Sequence, residues 1–152
     1  MKDLWPAQNE VLTNYCKHLA PSSRLAIQLP TGSGKSIIGI IIAEAWRRQG
    51  KHVAILTSTR ALTEDMKSKC DALGVDSVII GGRSQSDDEN RQRLRNVKSY
   101  KRNQAIGIFN YWSYMMARDV EDADVLIIDD ADNFEGYLSD HYSVRIPRSS
   151  DI

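Results

Sequence analysis

Residues 29–36 read Leu29-Pro30-Thr31-Gly32-Ser33-Gly34-Lys35-Ser36, and this stretch decides the fold prediction. Its glycines allow successive backbone N–H groups to turn toward one point, and a helix that begins here directs its positive end at the same point. Lys35 can then reach the β and γ phosphates of a nucleotide, and the Ser36 hydroxyl can bind Mg²⁺. The alternative is a Gly/Ser-rich turn with an exposed lysine, which the strand and helix patterns on either side disfavour.

Short apolar runs alternate with helical stretches on both sides of this turn. The runs are rich in β-branched residues, as strands buried on both faces are. Their alternation with helices predicts an α/β fold with a mostly parallel sheet and helices on both faces, in which ligands bind where the strands end. The predicted strands are residues 25–29, 53–57, 77–80, 105–109 and 125–128. The predicted helices are residues 6–19, 36–48, 60–73 and 87–98.

The last predicted strand runs directly into Asp129 and Asp130. A Mg²⁺ ion held by one hydroxyl and by phosphates also needs a carboxylate, so we expect Asp129 to share the ion with Ser36. Asp130 would orient or deprotonate the attacking water. A solvated acidic turn is the alternative, because residues 119–140 contain nine acids and no base.

Composition excludes several other classes of protein. The chain has 152 residues, of which 41% are hydrophobic and 26% charged, enough for one soluble domain. Its longest apolar block, residues 37–43, is far shorter than the ~20 residues of a membrane helix, and no apolar signal segment follows the first residues. We therefore expect a cytoplasmic protein without a membrane partner. Cys16 and Cys70 are isolated from each other and from histidines, which excludes a disulfide framework and a zinc site.

Charge is segregated along the chain, although 20 basic and 20 acidic residues give a formal net charge of zero. Residues 91–102 contain six bases and no acid. Such a segment can lie along the phosphates of a nucleic acid. It can equally be a solvated helix face, whose bases suit the C-terminal end of a helix. Both interpretations remain open at the level of the sequence.

The motifs and their order resemble the first RecA-like domain of a superfamily 2 helicase of the DEAD/DEAH-box group. Residues 29–36 resemble motif I, whose form in this group lacks the first glycine, and Asp129-Asp130-Ala131-Asp132 resembles motif II. The resemblance implies ATP and Mg²⁺ as cofactors, with Ser36 and Asp129 at the metal and Lys35, Asp129 and Asp130 as catalytic residues. Trp5-Pro6-Ala7-Gln8 looks like the glutamine motif, in which Gln8 would read the adenine edge. The implied nucleotide-binding residues are Gln8, Thr31, Gly32, Ser33, Gly34, Lys35 and Ser36.

Two further segments resemble the nucleic-acid side of the same family. Thr57-Ser58-Thr59-Arg60-Ala61-Leu62 is similar to motif Ia, and Gly81-Gly82 is similar to the Gly-Gly element. Residues of this type position phosphates without reading bases, so non-sequence-specific binding is implied. The implied contact residues are Thr59, Arg60, Gly81 and Gly82.

An aromatic segment, residues 108–115, looks like the Asn-Tyr segment of DNA-repair helicases of the iron–sulfur type. This resemblance favours DNA over RNA as the partner. Those enzymes hold their cluster on four cysteines, and the corresponding region here contains only Cys70, so a cluster is excluded. The alternative for residues 108–115 is a helix that packs on the sheet.

The chain departs from the family pattern in two ways. Asp130 stands where the family has Glu, and the shorter side chain can slow hydrolysis, since a displacement near 1 Å can cost ~10²-fold in rate. No motif III and no second RecA-like domain are recognised, so we expect residues 1–152 to form one domain, the N-terminal half of a two-domain motor. The missing half would close the cleft and supply an arginine finger. Nucleotide binding with little turnover is therefore expected from this chain.

These observations predict the ATP- and Mg²⁺-binding domain of a nucleic-acid-dependent ATPase or helicase. Paired with a second RecA-like domain, it would hydrolyse ATP to drive strand translocation or unwinding. The alternatives are a nucleotide-binding interaction module or degenerate remnant, a restriction-type translocase motor fragment, and a small kinase. A kinase should carry an arginine-bearing lid and an acceptor pocket, and the sequence indicates neither.

Overall fold

The computed structural model describes residues 5–19, 24–30, 32–82, 84–120 and 122–142. Helices and strands alternate along this part of the chain, as the sequence pattern predicts. The helices are α1 Pro6–Asn14, which continues as a π-helical turn over Tyr15–Leu19, α2 Lys35–Arg48, α3 Arg60–Ala72, α4 Asp87–Lys101, α5 Tyr111–Met116 and α6 Ala131–Tyr142. The strands are β1 Val53–Thr57, β2 Ser77–Ile79, β3 Ile106–Asn110 and β4 Val125–Ile128.

The four strands form one sheet in the order β2-β3-β1-β4, and every pair in it is parallel. In the register, Thr57 lies beside Asn110, and Leu56 lies beside Ile128. The carboxyl ends of β1, β3 and β4 therefore reach one edge of the sheet together. Residues that follow these strands meet at that edge, which confirms the predicted α/β, RecA-like arrangement.

Strand β1 shows why helices cover both faces of the sheet. All five of its residues are buried, and successive side chains of a strand point to opposite faces. Val53 and Ile55 pack with residues of α2 and α3, whereas Ala54 and Leu56 pack with residues of α4 and α5. Burial of one such side chain stabilises the fold by about 1.5–3 kcal/mol. The continuous apolar run at 53–57 thus corresponds to a strand covered on both sides.

The predicted strand at residues 25–29 is wrong. Residues 25–30 have no regular structure, and Leu25 is 40% exposed. A strand exists only where a neighbouring backbone supplies hydrogen-bond partners. β4 pairs with β1 alone, and none of the described residues forms a strand on its other side, where Leu126 is 42% exposed. An apolar run predicts burial, but it does not specify the partner that a strand requires.

The remaining elements agree with the sequence patterns to within a few residues. α4 continues three residues beyond its predicted end at Lys98, and α5 and α6 were not assigned from the sequence. No helix in the described part of the chain combines the length and the apolar character needed to cross a membrane.

Candidate active site

The turn before α2 adopts a backbone that requires glycine at two positions. Gly32 has φ +81° and Gly34 has φ +79°, the left-handed region that glycine enters without a steric cost. The Ser33 N–H and hydroxyl both donate to the Pro30 carbonyl, at 3.2 and 2.6 Å. The first N–H groups of α2 have no partner within the helix, and they face the region in front of this turn. The turn can therefore receive a phosphate group; Thr31, a predicted nucleotide-binding residue, lies outside the described residues.

Gln8 of α1 is packed directly against this turn. Its side chain is buried, its Nε2 donates to the Ser33 carbonyl at 2.9 Å, and its Oε1 accepts from the Trp5 N–H at 3.0 Å. A Cβ atom added at Gly34 would lie 2.3 Å from Gln8 Nε2, so the Gln8 amide would have to move away and give up its bond to the Ser33 carbonyl. Gln8 thus fastens α1 to the phosphate-loop turn, and its amide makes both of these bonds within the protein.

Gly34→Ala tests this contact. The left-handed backbone costs about 1–2 kcal/mol for alanine at either glycine. At Gly34 the displaced Gln8 amide also loses its bond to Ser33, which adds about 0.5–1.5 kcal/mol, whereas a Cβ atom at Gly32 meets open space. We therefore expect Gly34→Ala to lower the free energy of unfolding by more than Gly32→Ala does, measured by urea unfolding. In a Gln8→Ala background the difference between the two glycine variants should disappear; a difference that persists would contradict the role given to Gln8.

Ser36 and Asp129, the two predicted metal ligands, lie next to each other. Ser36 Oγ donates to Asp129 Oδ2 at 3.4 Å, and the Asp129 N–H donates to the Leu56 carbonyl at 2.9 Å, which extends the pairing of β4 with β1. Burial raises the pKa of the Asp129 carboxyl, and the neighbouring charge of Asp130 raises it further. Lys69, Ser36 and Lys35 act in the opposite direction. Asp129 is therefore a desolvated carboxylate that a cation would stabilise.

The donor set at this point fits Mg²⁺. A hydroxyl and a carboxylate are hard oxygen ligands, whereas the remaining lining of the cavity of about 10 Å³ beside them is apolar, so the fit depends on Ser36 and Asp129 alone. Within the described residues no group of three or more His, Cys, Asp or Glu side chains could hold a metal ion.

Lys35 and Asp130 form a second pair, next to Ser36 and Asp129 in the chain. Lys35 Nζ lies 3.9 Å from Asp130 Oδ1, and both side chains are partly exposed. Asp130 has φ +53°, a left-handed conformation that aspartate tolerates better than most side chains do. The acidic turn therefore carries a backbone constraint that favours Asp at this position, independently of the length of its side chain.

Tyr111 holds the backbone of the turn at Asp129 and Asp130 in place. Its hydroxyl donates to the carbonyl oxygens of Asp129 and Asp130, at 3.0 and 3.4 Å, and its buried ring lies edge-on to Phe134 at 4.8 Å. Burial raises the pKa of the Tyr111 hydroxyl, and the two aspartates raise it further, so the group stays protonated as a donor. For the aromatic segment, the structure thus supports the helix-packing interpretation: Tyr111 begins α5 and belongs to the core.

Lys69 of α3 is a site residue that the sequence motifs do not reveal. Its Nζ donates to Ser36 Oγ at 3.4 Å and forms an ion pair with Asp65 Oδ2 at 2.7 Å. The i,i+4 spacing from Asp65 signals only an ordinary helix-surface pair. Nothing in the sequence indicates that α3 packs beside the start of α2, which is what brings Lys69 to Ser36.

A groove of about 490 Å³ lies at the carboxyl ends of the strands, on the side of the sheet occupied by β1, β3 and β2. It is lined by Arg60, Gly81 and Gly82 among others, so three of the four predicted nucleic-acid residues meet there. Thr59 does not line the groove: its Oγ1 accepts from the Leu62 N–H at 3.2 Å and caps the start of α3. Thr59 therefore contributes to the groove indirectly, because it fixes the start of α3, where Arg60 lies.

The family model for DEAD/DEAH box helicases matches residues 5–147. The chain belongs to this family. Comparison with curated proteins finds no match to it. Membership establishes a helicase-type ATP-binding domain with the RecA-like fold, and DEAD helicase domains generally bind ATP with Mg²⁺.

The basic segment of this DEAD/DEAH box domain divides into two parts. Arg93 is 8% exposed, and its guanidinium binds both oxygens of Asp119, at 2.6 and 2.8 Å, and the Gly81 carbonyl at 2.8 Å. Arg93 is therefore a structural residue that holds one wall of the groove. The other five bases of the segment are exposed, which favours the solvated-face interpretation for Arg91, Arg95, Lys98, Lys101 and Arg102.

Proposed function

We propose that this helicase-type domain binds ATP with Mg²⁺ between the phosphate-loop turn and the carboxyl end of β4, and hydrolyses ATP in partnership with a second RecA-like domain. One observation carries the proposal. Ser36 Oγ and Asp129 Oδ2, 93 positions apart in sequence, lie 3.4 Å from each other at the start of α2, where backbone N–H groups are free to receive phosphate. Oxygen ligands for a divalent cation and a phosphate cradle thus share one location.

The side chains around this location have distinct tasks in the proposed reaction. Lys35 would bind the β and γ phosphates, and Ser36 and Asp129 would hold the Mg²⁺, which supplies neutralisation of the phosphate charge when bound. Lys35 pairs with Asp130 in the present structure. Phosphates would draw the ammonium away from Asp130, and the freed carboxylate could then orient water and accept its proton.

Two features would keep hydrolysis by this chain slow. The Asp130 carboxylate is one methylene shorter than the Glu of the family motif, and the left-handed turn at Asp130 sets its direction. The proposed partner domain would supply the arginine that stabilises the transition state, a group worth about 10³–10⁵ in rate. We therefore propose a single helicase domain over residues 1–152 that binds nucleotide well and hydrolyses it slowly without the partner.

The test of the proposal is a titration of fluorescent ATP with and without Mg²⁺, followed by hydrolysis assays with and without single-stranded DNA or RNA. We expect Mg²⁺-dependent binding, slow hydrolysis by the chain alone, and hydrolysis stimulated by either strand once a second RecA-like domain is supplied. An absence of nucleotide binding would overturn the proposal. Binding without stimulated hydrolysis would favour a nucleotide-binding interaction module, the alternative that Asp130 supports.

We further propose that the groove at Gly81 and Gly82 binds single-stranded nucleic acid through its phosphates. Backbone groups and hydroxyls at strand ends position phosphates without reading the bases, so DNA and RNA remain equivalent candidates. The charged residues lining the groove are Arg60 and Arg93, accompanied by Glu64 and Glu89. Arg93 is buried and paired with Asp119, whereas Arg60 is exposed and pairs with Glu64 only at 3.9 Å, so Arg60 is the main cation available to a phosphate there.

Arg60→Ala is expected to reduce the dependence of binding on salt. Each phosphate neutralised on a single strand contributes about 0.7 to the slope of log affinity against log salt, so the slope should fall by about that amount. Fluorescence anisotropy with labelled DNA and RNA strands at several salt concentrations measures it. Arg95→Ala, on the exposed face of α4, is the matched control and should leave the slope unchanged. A fall in Arg95→Ala with no fall in Arg60→Ala would place the contact on α4 and contradict the role of the groove.

A further inference from the structure

A chain of polar contacts connects α3 to the proposed metal position. Asp65 Oδ2 pairs with Lys69 Nζ at 2.7 Å, Lys69 Nζ donates to Ser36 Oγ at 3.4 Å, and Ser36 Oγ donates to Asp129 Oδ2 at 3.4 Å. The three links join four side chains from α3, α2 and the end of β4. A positive charge therefore already lies beside the hydroxyl and the carboxylate that the proposed function assigns to Mg²⁺.

The direction of these hydrogen bonds matters for metal binding. Lys69 donates to Ser36 Oγ, so the ammonium takes up a lone pair that the hydroxyl would otherwise offer to a cation. Its charge also stabilises the ionised form of the half-buried Asp129 carboxylate. Lys69 thus performs part of the electrostatic task of a divalent ion at this position.

The Lys69 ammonium can withdraw from Ser36 without losing every partner. Its side chain is 40% exposed, and the Asp65 side chain, four residues earlier on α3, is 52% exposed. Retreat toward Asp65 and water would keep the ammonium paired. Asp65 precedes Lys69, which is the favourable order for an i,i+4 pair on a helix.

We propose that Lys69 is the resident counter-cation of the metal position: it binds Ser36 and offsets the charge of Asp129, and it must release Ser36 before Mg²⁺ binds. This inference rests on the proposed function, since it takes Ser36 and Asp129 as the metal ligands. It follows that a divalent ion alone binds weakly, because two cations compete for one hydroxyl and one carboxylate. An ion that arrives with ATP brings phosphate charge, which favours its entry over the ammonium.

The test is a titration of the nucleotide-free protein with Mn²⁺, a paramagnetic substitute for Mg²⁺, followed by electron paramagnetic resonance. Lys69→Met removes the charge and keeps most of the side-chain volume, and we expect it to bind Mn²⁺ about ten-fold more tightly than the unaltered protein, as removal of a like charge a few ångströms away allows. Lys69→Arg keeps the charge and should bind Mn²⁺ as weakly as the unaltered protein. Lys67→Met is the matched control, since Lys67 lies on the same helix and pairs with Asp71; it should change nothing.

Asp129→Asn separates failure of this inference from failure of the proposed function. If Asp129→Asn weakens Mn²⁺ binding in the Lys69→Met background and Lys69→Met strengthens it, the inference holds. If Lys69→Met binds Mn²⁺ no better than the unaltered protein, while Asp129→Asn still weakens binding, Lys69 is not a competitor and only the inference is overturned. If Asp129→Asn has no effect in either background, the metal position itself is misassigned, and the proposed function fails with the inference.

Discussion

Replacement of Lys35 by alanine is expected to weaken ATP binding by about 100-fold or more. Lys35 is the first residue of α2, and its ammonium lies 3.9 Å from Asp130, on the side of the turn where the β and γ phosphates are proposed to bind. Truncation of one partner of a hydrogen-bonded charge pair costs binding about 2–5 kcal/mol, and about 2.8 kcal/mol corresponds to 100-fold. Titration with fluorescent ATP in the presence of Mg²⁺ measures the effect.

Two comparisons make the Lys35 result specific. Lys51→Ala removes an exposed lysine that follows α2, at the opposite end of the helix from the turn, and should leave ATP affinity unchanged. The Lys35→Ala variant should also keep its free energy of unfolding, because the ion pair with Asp130 is partly exposed and weak. If Lys35→Ala bound ATP as tightly as the unaltered protein, the turn would not be the phosphate-binding site, and the proposed function would be wrong.

Arg93→Met is expected to lower the free energy of unfolding by about 3 kcal/mol. The substitution removes a bidentate bond to Asp119 and a bond to the Gly81 carbonyl from a side chain that is almost fully buried. Removal of one partner of a buried ion pair typically costs about 3–5 kcal/mol. Because the Asp119 side chain is partly exposed, we expect a cost at the lower end of this range. Urea unfolding followed by circular dichroism gives the difference in free energy.

Arg91→Met is the matched control for Arg93→Met. Arg91 lies two residues earlier on α4, and its ion pair with Asp88 at 3.6 Å is exposed on both sides, so the change should stay within about 0.5 kcal/mol. The double substitution Arg93→Met and Asp119→Leu should recover part of the loss, because it leaves no carboxylate deprived of its arginine. If Arg93→Met cost no more than Arg91→Met, Arg93 would not be the structural support of the groove wall.

The sequence predicted the local structure at both ends of the proposed nucleotide site, because each end is encoded by consecutive residues. Gly32 and Gly34 supply the backbone freedom that the turn uses, with φ near +80° at each, and the strand that ends in Asp129 follows from a short apolar run. The parallel order of strands and helices was readable from the same alternation. That Ser36 and Asp129 should lie together was an inference from the chemistry of Mg²⁺, and the structure places them 3.4 Å apart.

Local sequence patterns did not predict the structure correctly at two places, residues 25–29 and Arg93. An apolar run predicted a strand at 25–29, but the described residues provide no adjacent strand for it to pair with. The run of bases at 91–102 gave no sign that Arg93 points inward, since its burial depends on Asp119 and on the Gly81 carbonyl. In each case the missing information was the identity of a partner remote in sequence.

The sequence by itself determined the α/β alternation, the glycine turn with Lys35 and Ser36, and the acidic pair Asp129 and Asp130, because each depends on a few consecutive residues. Only the tertiary structure decided that Lys69 contacts Ser36, that Tyr111 fixes the acidic turn, and that Arg93 supports the groove. The physical reason is that hydrogen bonds and ion pairs of this kind act over about 3–4 Å. Their partners are set by how helices pack on the sheet, and no spacing along the chain records that packing.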